Sequence, residues 1–345
     1  MSGSFSNNSA TNCSGQDCQQ NQSSGQSNQL VEMVFFWMIT IVGIVGNSLV
    51  ITVVKMIRSM RTTTNYLLVN VAVADITTLF FTAIHVIISR FRSFSSQALL
   101  SFLCKFIYTN SIVMVTLLVT SLTMTLLAFE RYHALVKPLV MSRRLNNGNV
   151  AYAITGVWLV AIAMVTPLFA SFDYNSTIGS CSLGDADTTE MVIYIDCLFV
   201  ILTLIPFTVI AFCYSKIIYG MYFNNTICHN KSERSDTQEE TREKRRLVTL
   251  LILLTVVFFI AFIPYGILLI LYFKKISNAN IVYVQQVAQY LTLLNCSVNP
   301  FIYAFQSSSY RRSFTFLVKK MFCRDTTVDA IELLEMRTRT SLRSV

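Results

Sequence analysis

Residues 33–54 read MVFFWMITIVGIVGNSLVITVV, a run without a single charged side chain. About 20 such residues, wound as a helix, cross the hydrocarbon core of a bilayer. Lipid offers no partner to backbone N–H and C=O groups, so the run is expected to satisfy them internally as a helix. The whole first span covers about 32–57, and six further apolar runs follow at 66–90, 103–134, 149–171, 191–222, 245–273 and 280–304. The expected fold is therefore an all-α membrane protein, a bundle of seven transmembrane helices filling 32–304. The 345-residue chain is 53% hydrophobic and 13% charged, against about 25% charged in soluble domains.

Orientation comes from Lys and Arg in the short connections, which favour the cytoplasmic side. With the N-terminus outside, the outer face keeps only Arg90, Arg92, Lys105, Lys274 and Lys275 of the 27 basic residues. The reverse topology would invert that bias. The net charge of +9 therefore describes the inner face of a membrane protein, and no nucleic acid is expected as a partner. Residues 1–31 lack Lys and Arg and are rich in Ser, Asn, Gln and Gly, a composition that cannot bury enough apolar surface to fold. They read as a disordered, glycosylated extracellular tail, with N-x-[ST] sequons at Asn7, Asn12 and Asn21. A further sequon at Asn175 lies in the outer loop between the fourth and fifth spans, while those at Asn224 and Asn230 fall on the cytosolic side.

Residues 305–323 are too polar to span. Phe314, Leu317, Val318, Met321 and Phe322 share one helical face, with Arg311, Arg312, Lys319 and Lys320 elsewhere around the wheel. That pattern predicts an amphipathic eighth helix on an anionic inner leaflet, followed by a cytoplasmic tail over 324–345. Cys323 ends this helix and is either palmitoylated or a free cytosolic thiol. Cys104 and Cys181 both fall on the outer, oxidising side, where a disulfide would tie a loop over the bundle mouth. Cys13 and Cys18 form a second candidate pair, and Cys197, Cys213 and Cys296 read as packing residues.

Ionisable groups inside a span are costly and mark function by default. Asp75 lies mid-way along the second span, with Asn47, Asn295 and Asn299 as polar groups able to gather round it; the plainer alternative is a buried acid that only packs. Glu130-Arg131-Tyr132 closes the third span, where Arg131 alone would read as a snorkelling anchor. Pro167, Pro206, Pro264 and Pro300 each remove a helical hydrogen bond. His85, His133 and His229 form neither a metal pair nor a dyad with Ser, so an enzyme is not expected. A transporter, the other class weighed, would show internal repeats; the halves show none, and seven spans do not divide evenly.

From about 32 to 323 the ordered set of motifs resembles the rhodopsin-like G-protein-coupled receptors. It comprises Gly46-Asn47-Ser48-Leu49-Val50, Asn70 with Asp75, Cys104 with Glu130-Arg131-Tyr132, and Trp158. Pro206 with Tyr214, Phe262-Ile263-Pro264-Tyr265, and Asn295 with Asn299-Pro300-Phe301-Ile302-Tyr303 complete it. The resemblance implies a multi-pass plasma-membrane receptor working with a heterotrimeric G protein, and with arrestin and receptor kinases. It implies that Asp75, Thr120, Ser121, Asn295 and Asn299 hold an allosteric sodium ion, with no other cofactor. It implies that Glu130 restrains Arg131, that Tyr132, Tyr214, Pro300 and Tyr303 serve the switch, and that Phe262, Pro264 and Lys244 move with the sixth helix.

Two features depart from the family. Phe262 stands where Trp is usual, and Cys104 to Arg131 is 27 residues, two longer than usual, with the extra pair expected near the outer end of the third helix. Counting from Arg131 puts Val113 at the position where amine receptors carry a carboxylate; counting from Cys104 puts Ser111 there. Neither pairs with an ammonium, and the opsin lysine position falls near Leu293, so amine and retinal ligands are excluded. Leu103-Cys104-Lys105-Phe106 looks like neuropeptide receptors of the galanin, allatostatin and RFamide type. Asp173, Asp185, Asp187 and Glu190 would steer a cationic extracellular peptide or stand as a solvated acidic loop. Val113 and Tyr265 would face the ligand, for which a lipid or other small molecule is the alternative to a peptide.

Overall fold

The computed structural model describes residues 15–89, 96–136, 145–146, 148–183, 188–222, 235–274 and 279–322. The first two spans are α1 (Gly15–Met56) and α2 (Thr63–Ile88), joined through the short 3-10 turn Arg58–Met60. The third span comes in three pieces: α3 (Gln97–Leu103), a π-turn over Cys104–Tyr108, and α4 (Ser111–Leu135). α5 (Val150–Ser171) leads into a hairpin of β1 (Phe172–Asn175) and β2 (Ser180–Leu183), antiparallel with Tyr174 opposite Cys181. The fifth span is α6 (Thr188–Phe199), a π-turn over Val200–Leu204, and α7 (Ile205–Tyr222). α8 (Ser235–Phe273) and α9 (Ala279–Gln306) are the sixth and seventh spans, and α10 (Ser308–Phe322) follows.

Among the described residues, five helices are long and apolar enough to cross a membrane on those grounds alone, with Ile205–Met221 as a shorter apolar helix. The other two spans are the special cases. The fifth is divided by its π-turn, and α9 carries Gln289, Asn295 and Asn299 along its length. α4 is the most enclosed span and packs on α2, α5, α7 and α8, whereas α5 is the least enclosed. The core follows α4: Leu117, Leu118, Val119, Met124 and Leu127 are buried between its neighbours.

Three expectations are corrected. α1 starts at Gly15, inside the stretch whose composition suggested no fold. Once a helix is nucleated, each added residue gains a hydrogen bond, so an apolar span extends into polar sequence. Asn21 therefore lies in a helix, and Asn7, Asn12 and Cys13 lie outside the described residues. On α10 the buried positions are Tyr310, Ser313, Phe316 and Leu317, with Phe314 partly buried. α10 packs on α9 and α1, and Phe316, absent from the predicted face, is covered along with Leu317, which belongs to it; Cys323 lies outside the described residues. Cys197 is exposed on the bundle exterior, while Cys213 and Cys296 are buried as expected.

α1 and α9 meet closely at Gly46, where an added Cβ would stand 2.9 Å from Cγ of Pro300. Gly46→Ala should lower the melting temperature of the detergent-purified protein, overpacking of this kind costing about 1–3 kcal/mol. The control is Gly156→Ala, where the added atom meets nothing; its melting temperature should not fall.

Candidate functional site

The middle of the bundle holds the polar cluster. Asp75 on α2 is 1% exposed, and its Oδ2 accepts a 2.7 Å hydrogen bond from Nδ2 of Asn299 on α9. Pro300 has no N–H, so the carbonyl one turn earlier, that of Cys296, loses its helical donor. Asn47 supplies the replacement: its Nδ2 donates to the Cys296 carbonyl at 2.8 Å and to the Gly43 carbonyl at 2.9 Å. The absence of a side chain at Gly46 lets α1 come near enough to do so. Asn70 donates to Thr123 at 2.8 Å and accepts from Nε1 of Trp158 at 2.9 Å, linking α2, α4 and α5.

Thr120, Ser121 and Asn295 are buried as well. The Oδ1 atoms of Asn47, Asn295 and Asn299 are buried without a hydrogen-bond partner among the described residues. One carboxylate and several orphaned amide oxygens make a donor set suited to a hard cation such as sodium, which takes oxygen ligands. No group of three or more His, Cys, Asp or Glu placed to hold a metal ion occurs among the described residues.

At one end of α4, Glu130 Oε2 lies 3.1 Å from Nε of Arg131, an ion pair with Glu130 buried and Arg131 largely so. Tyr214 of α7 is buried, with its hydroxyl against Thr255 and within electrostatic reach of Arg131. Tyr132 meets Phe212 at 6.1 Å between ring centroids. Tyr303 is fully buried and stacks on Tyr310 of α10 at 5.2 Å and 27°. The Tyr310 hydroxyl in turn reaches Oδ1 of Asn65 at 3.3 Å, and burial raises its pKa above the ordinary phenol value, which keeps it a neutral donor. Lys244 is partly buried on α8. Further along α8, Phe262 is buried and stacks on Phe258 at 5.2 Å and 16°, two residues before Pro264.

The opposite end is closed by the hairpin. A disulfide joins Cys104 to Cys181, as expected, with the two Cα atoms 5.6 Å apart. Lys105 adds an ion pair to Asp173 at 3.5 Å. A hydrogen bond from Ser101, then the Tyr174 N–H and the Lys105 charge, hold the Asp173 carboxyl below its ordinary value. Lys274 pairs with Asp196 at 3.1 Å, joining α8 to α6.

Beneath this end lies a cavity of about 340 Å³. Val113 and Tyr265 line it; Val113 is the residue reached by counting from Arg131, whereas Ser111, reached by counting from Cys104, is not among its described lining. The reason is local. The π-turn and a left-handed residue, Asn110 (φ 54°), take up the extra pair between Cys104 and α4, and Ser111 is buried, bonded to Thr109 at 2.6 Å. Glu32, His85, Asn110 and Tyr290 also line the cavity and were missed. Glu190 is exposed in the first turn of α6 and is not among the described lining residues; Asp185 and Asp187 lie outside the described residues. Asn175 sits at the hairpin turn, where Oδ1 accepts from the Thr177 and Ile178 N–H groups.

A cavity thus lies at one end of the enclosed helix α4, the Glu130–Arg131 pair at its other end, and polar groups between them. Residues 46–303 match the family described as 7 transmembrane receptor (rhodopsin family), and the chain belongs to that family. It is 29% identical to the human galanin receptor type 1 over 295 residues, 82% of this chain and 80% of that protein. It is 28% identical to the mouse pyroglutamylated RF-amide peptide receptor over 301 residues, 81% of this chain and 68% of that protein. To the allatostatin-A receptor of Bombyx mori it is 27% identical over 308 residues, 84% of this chain and 79% of that protein.

Two substitutions test the anchoring of α10. Tyr310→Phe loses only the hydroxyl contact and should cost about 1 kcal/mol. Tyr310→Ala also loses the ring stack and should cost about 3–5 kcal/mol. Melting temperatures of the purified protein should fall in that order, and equal losses would show that the stack contributes nothing.

Proposed function

We propose that this chain is a plasma-membrane receptor with its N-terminus outside, which binds a short extracellular peptide and activates a heterotrimeric G protein. The observation that carries the reading is the span of α4: it borders the cavity at Val113 and ends on the Glu130–Arg131 pair. Relatives named for galanin, for an RF-amide peptide and for allatostatin-A favour a peptide over a lipid or other small molecule. The five outer basic residues of 27 favour this orientation.

The mechanism is a choice between two packings. A ligand shifts such an equilibrium only by the difference in its affinity for the two states. In the resting packing Glu130 holds Arg131, and Tyr303 lies back on Tyr310. In the active packing the inner half of α8, with Lys244, moves outward about Pro264, and Arg131 turns to the G protein with Tyr214 and Tyr303 closing beneath it. Asp75, Asn295 and Asn299, with Thr120 and Ser121 from α4, would hold a sodium ion, whose charge would stabilise the ionised carboxylate in the resting packing. Receptor kinases and arrestin would act on Ser and Thr of 326–344, and Cys323 would take a palmitoyl chain.

In cells expressing the full chain, a neuropeptide library read with several G proteins should yield an agonist. Arg131→Ala should abolish that response at unchanged surface expression; a full response in the variant would refute the switch. Replacing choline chloride by sodium chloride should weaken agonist binding in the wild type and leave Asp75→Asn unaffected, and an equal sodium effect in both would refute the ion site.

A further inference from the structure

α10 carries its charge on one side. Tyr310, Ser313, Phe316 and Leu317 are buried, whereas Arg311, Arg312, Thr315 and Lys319 are exposed. Residues four apart on a helix are surface neighbours, so Arg311, Thr315 and Lys319 form a single row. Arg312, three residues before Thr315, lies beside it. Residues 308–322 contain no Asp or Glu, so nothing acidic on this helix offsets the three cations around the Thr315 hydroxyl. α10 also packs on α1, whose last turn and following loop add exposed Lys55, Arg58 and Arg61.

The same hydroxyl is open to chemistry. Thr315 Oγ1 donates to the Arg311 carbonyl at 3.0 Å, a back-bond that slightly weakens a helix. A helix of 15 residues is marginal without its packing, so this segment can open into the extended form that an enzyme cleft takes. In that form Arg312 and Arg311 stand three and four residues ahead of the hydroxyl. A cleft lined by carboxylates holds two such guanidinium groups by charge-assisted hydrogen bonds.

We propose that Thr315 is a phosphorylation site for a protein kinase with an acidic substrate cleft, and that the phosphate discharges the basic face of α10. The γ-phosphoryl group of ATP passes to Thr315 Oγ1, its bond to the β-phosphate oxygen breaks, ADP leaves, and the hydroxyl proton goes to solvent through the enzyme's base. The product carries about −1.5 to −2 charges and three acceptor oxygens. Back on the helix those oxygens lie among Arg311, Arg312 and Lys319, and most of the charge of the three is cancelled where it stands. Basic side chains at a membrane surface draw anionic lipid, and a phosphate among them undoes the attraction. Thr315 is then a switch for the lipid around α10, separate from the Ser and Thr of 326–344. The inference goes beyond the receptor reading and takes from it only the cytosolic placement of α10.

The full chain, reconstituted in nanodiscs of phosphatidylcholine and phosphatidylserine, is incubated with ATP and a kinase that selects arginine three residues before its target, active calmodulin-dependent protein kinase II. Both faces of a nanodisc are open to the enzyme, so topology does not enter. Thr327 and Thr340 also follow an arginine by three residues and serve as internal controls. Phosphopeptide mapping by mass spectrometry should find Thr315 modified. Arg312→Gln should slow that site by about tenfold or more, the scale of one hydrogen bond to a charged group, and leave Thr327 and Thr340 at the wild-type rate. Phosphatidylserine bound to the chain from mixed micelles is then read by native mass spectrometry. Phosphorylation should weaken it by about tenfold or more in the wild type. It should not weaken it in Thr315→Ala, whose melting temperature should match the wild type. No phosphate at Thr315 while Thr327 and Thr340 fill, or the same change in lipid binding in the wild type and Thr315→Ala, overturns the proposal and leaves the receptor reading standing.

Discussion

A carboxylate sealed inside a lipid-embedded bundle has to be answered, and much of the inner architecture follows from Asp75. Its direct donor is Asn299, on the helix that Pro300 interrupts. The same proline leaves the Cys296 carbonyl without its helical donor, and Asn47 reaches over from α1 to supply one. That reach needs α1 and α9 nearly in van der Waals contact, which Gly46 permits. One buried charge, one missing N–H and one missing side chain thus lock three helices together, because lipid would satisfy none of the groups involved.

The seven spans were legible because lipid imposes a length and a composition that short-range pattern carries directly. Asp75, Asn295 and Asn299 were legible because ionisable and amide side chains are rare in such runs and stand out. Their exact partners were not: the bond from Asn47 to a backbone carbonyl depends on a local break at Pro300 and on helix separation, and neither is a property of a residue type. Val113 was found by counting from Arg131, since α4 is regular from Ser111 to Leu135. The count from Cys104 failed because it crossed the π-turn and Asn110. The excess of two residues was the visible sign of that break. Glu32, His85 and Tyr290 share the cavity only through the relative rotation of three helices, for which the linear pattern holds no signal.

Length also misled at the edges. Composition marked residues 1–31 as unable to fold alone, which is a statement about an isolated segment. Joined to an apolar span, the same residues from Gly15 onward extend a helix that something else has nucleated. The face of α10 shifted for a related reason. Sequence periodicity describes a helix against a flat surface, whereas α10 packs on α9 and α1, with Tyr310 turned inward onto Tyr303.

The ring pair on α8 has a bearing on how readily the sixth span can turn. Phe262 offers no hydrogen-bond donor, and its face lies nearly parallel to that of Phe258. The pair moves as one unit, and Phe262 shares a small gap with Met114 and Leu118 of α4 and Ile195 and Leu198 of α6; such hydrocarbon surfaces resist sliding through dispersion contacts alone, each weak and all sensitive to small gaps. Resistance of that sort depends on free volume more than on any one bond. The ease of this motion in the receptor would accordingly vary with hydrostatic pressure and with the looseness of the surrounding lipid, as a viscous bearing does, in a way that an indole anchored by its N–H would not.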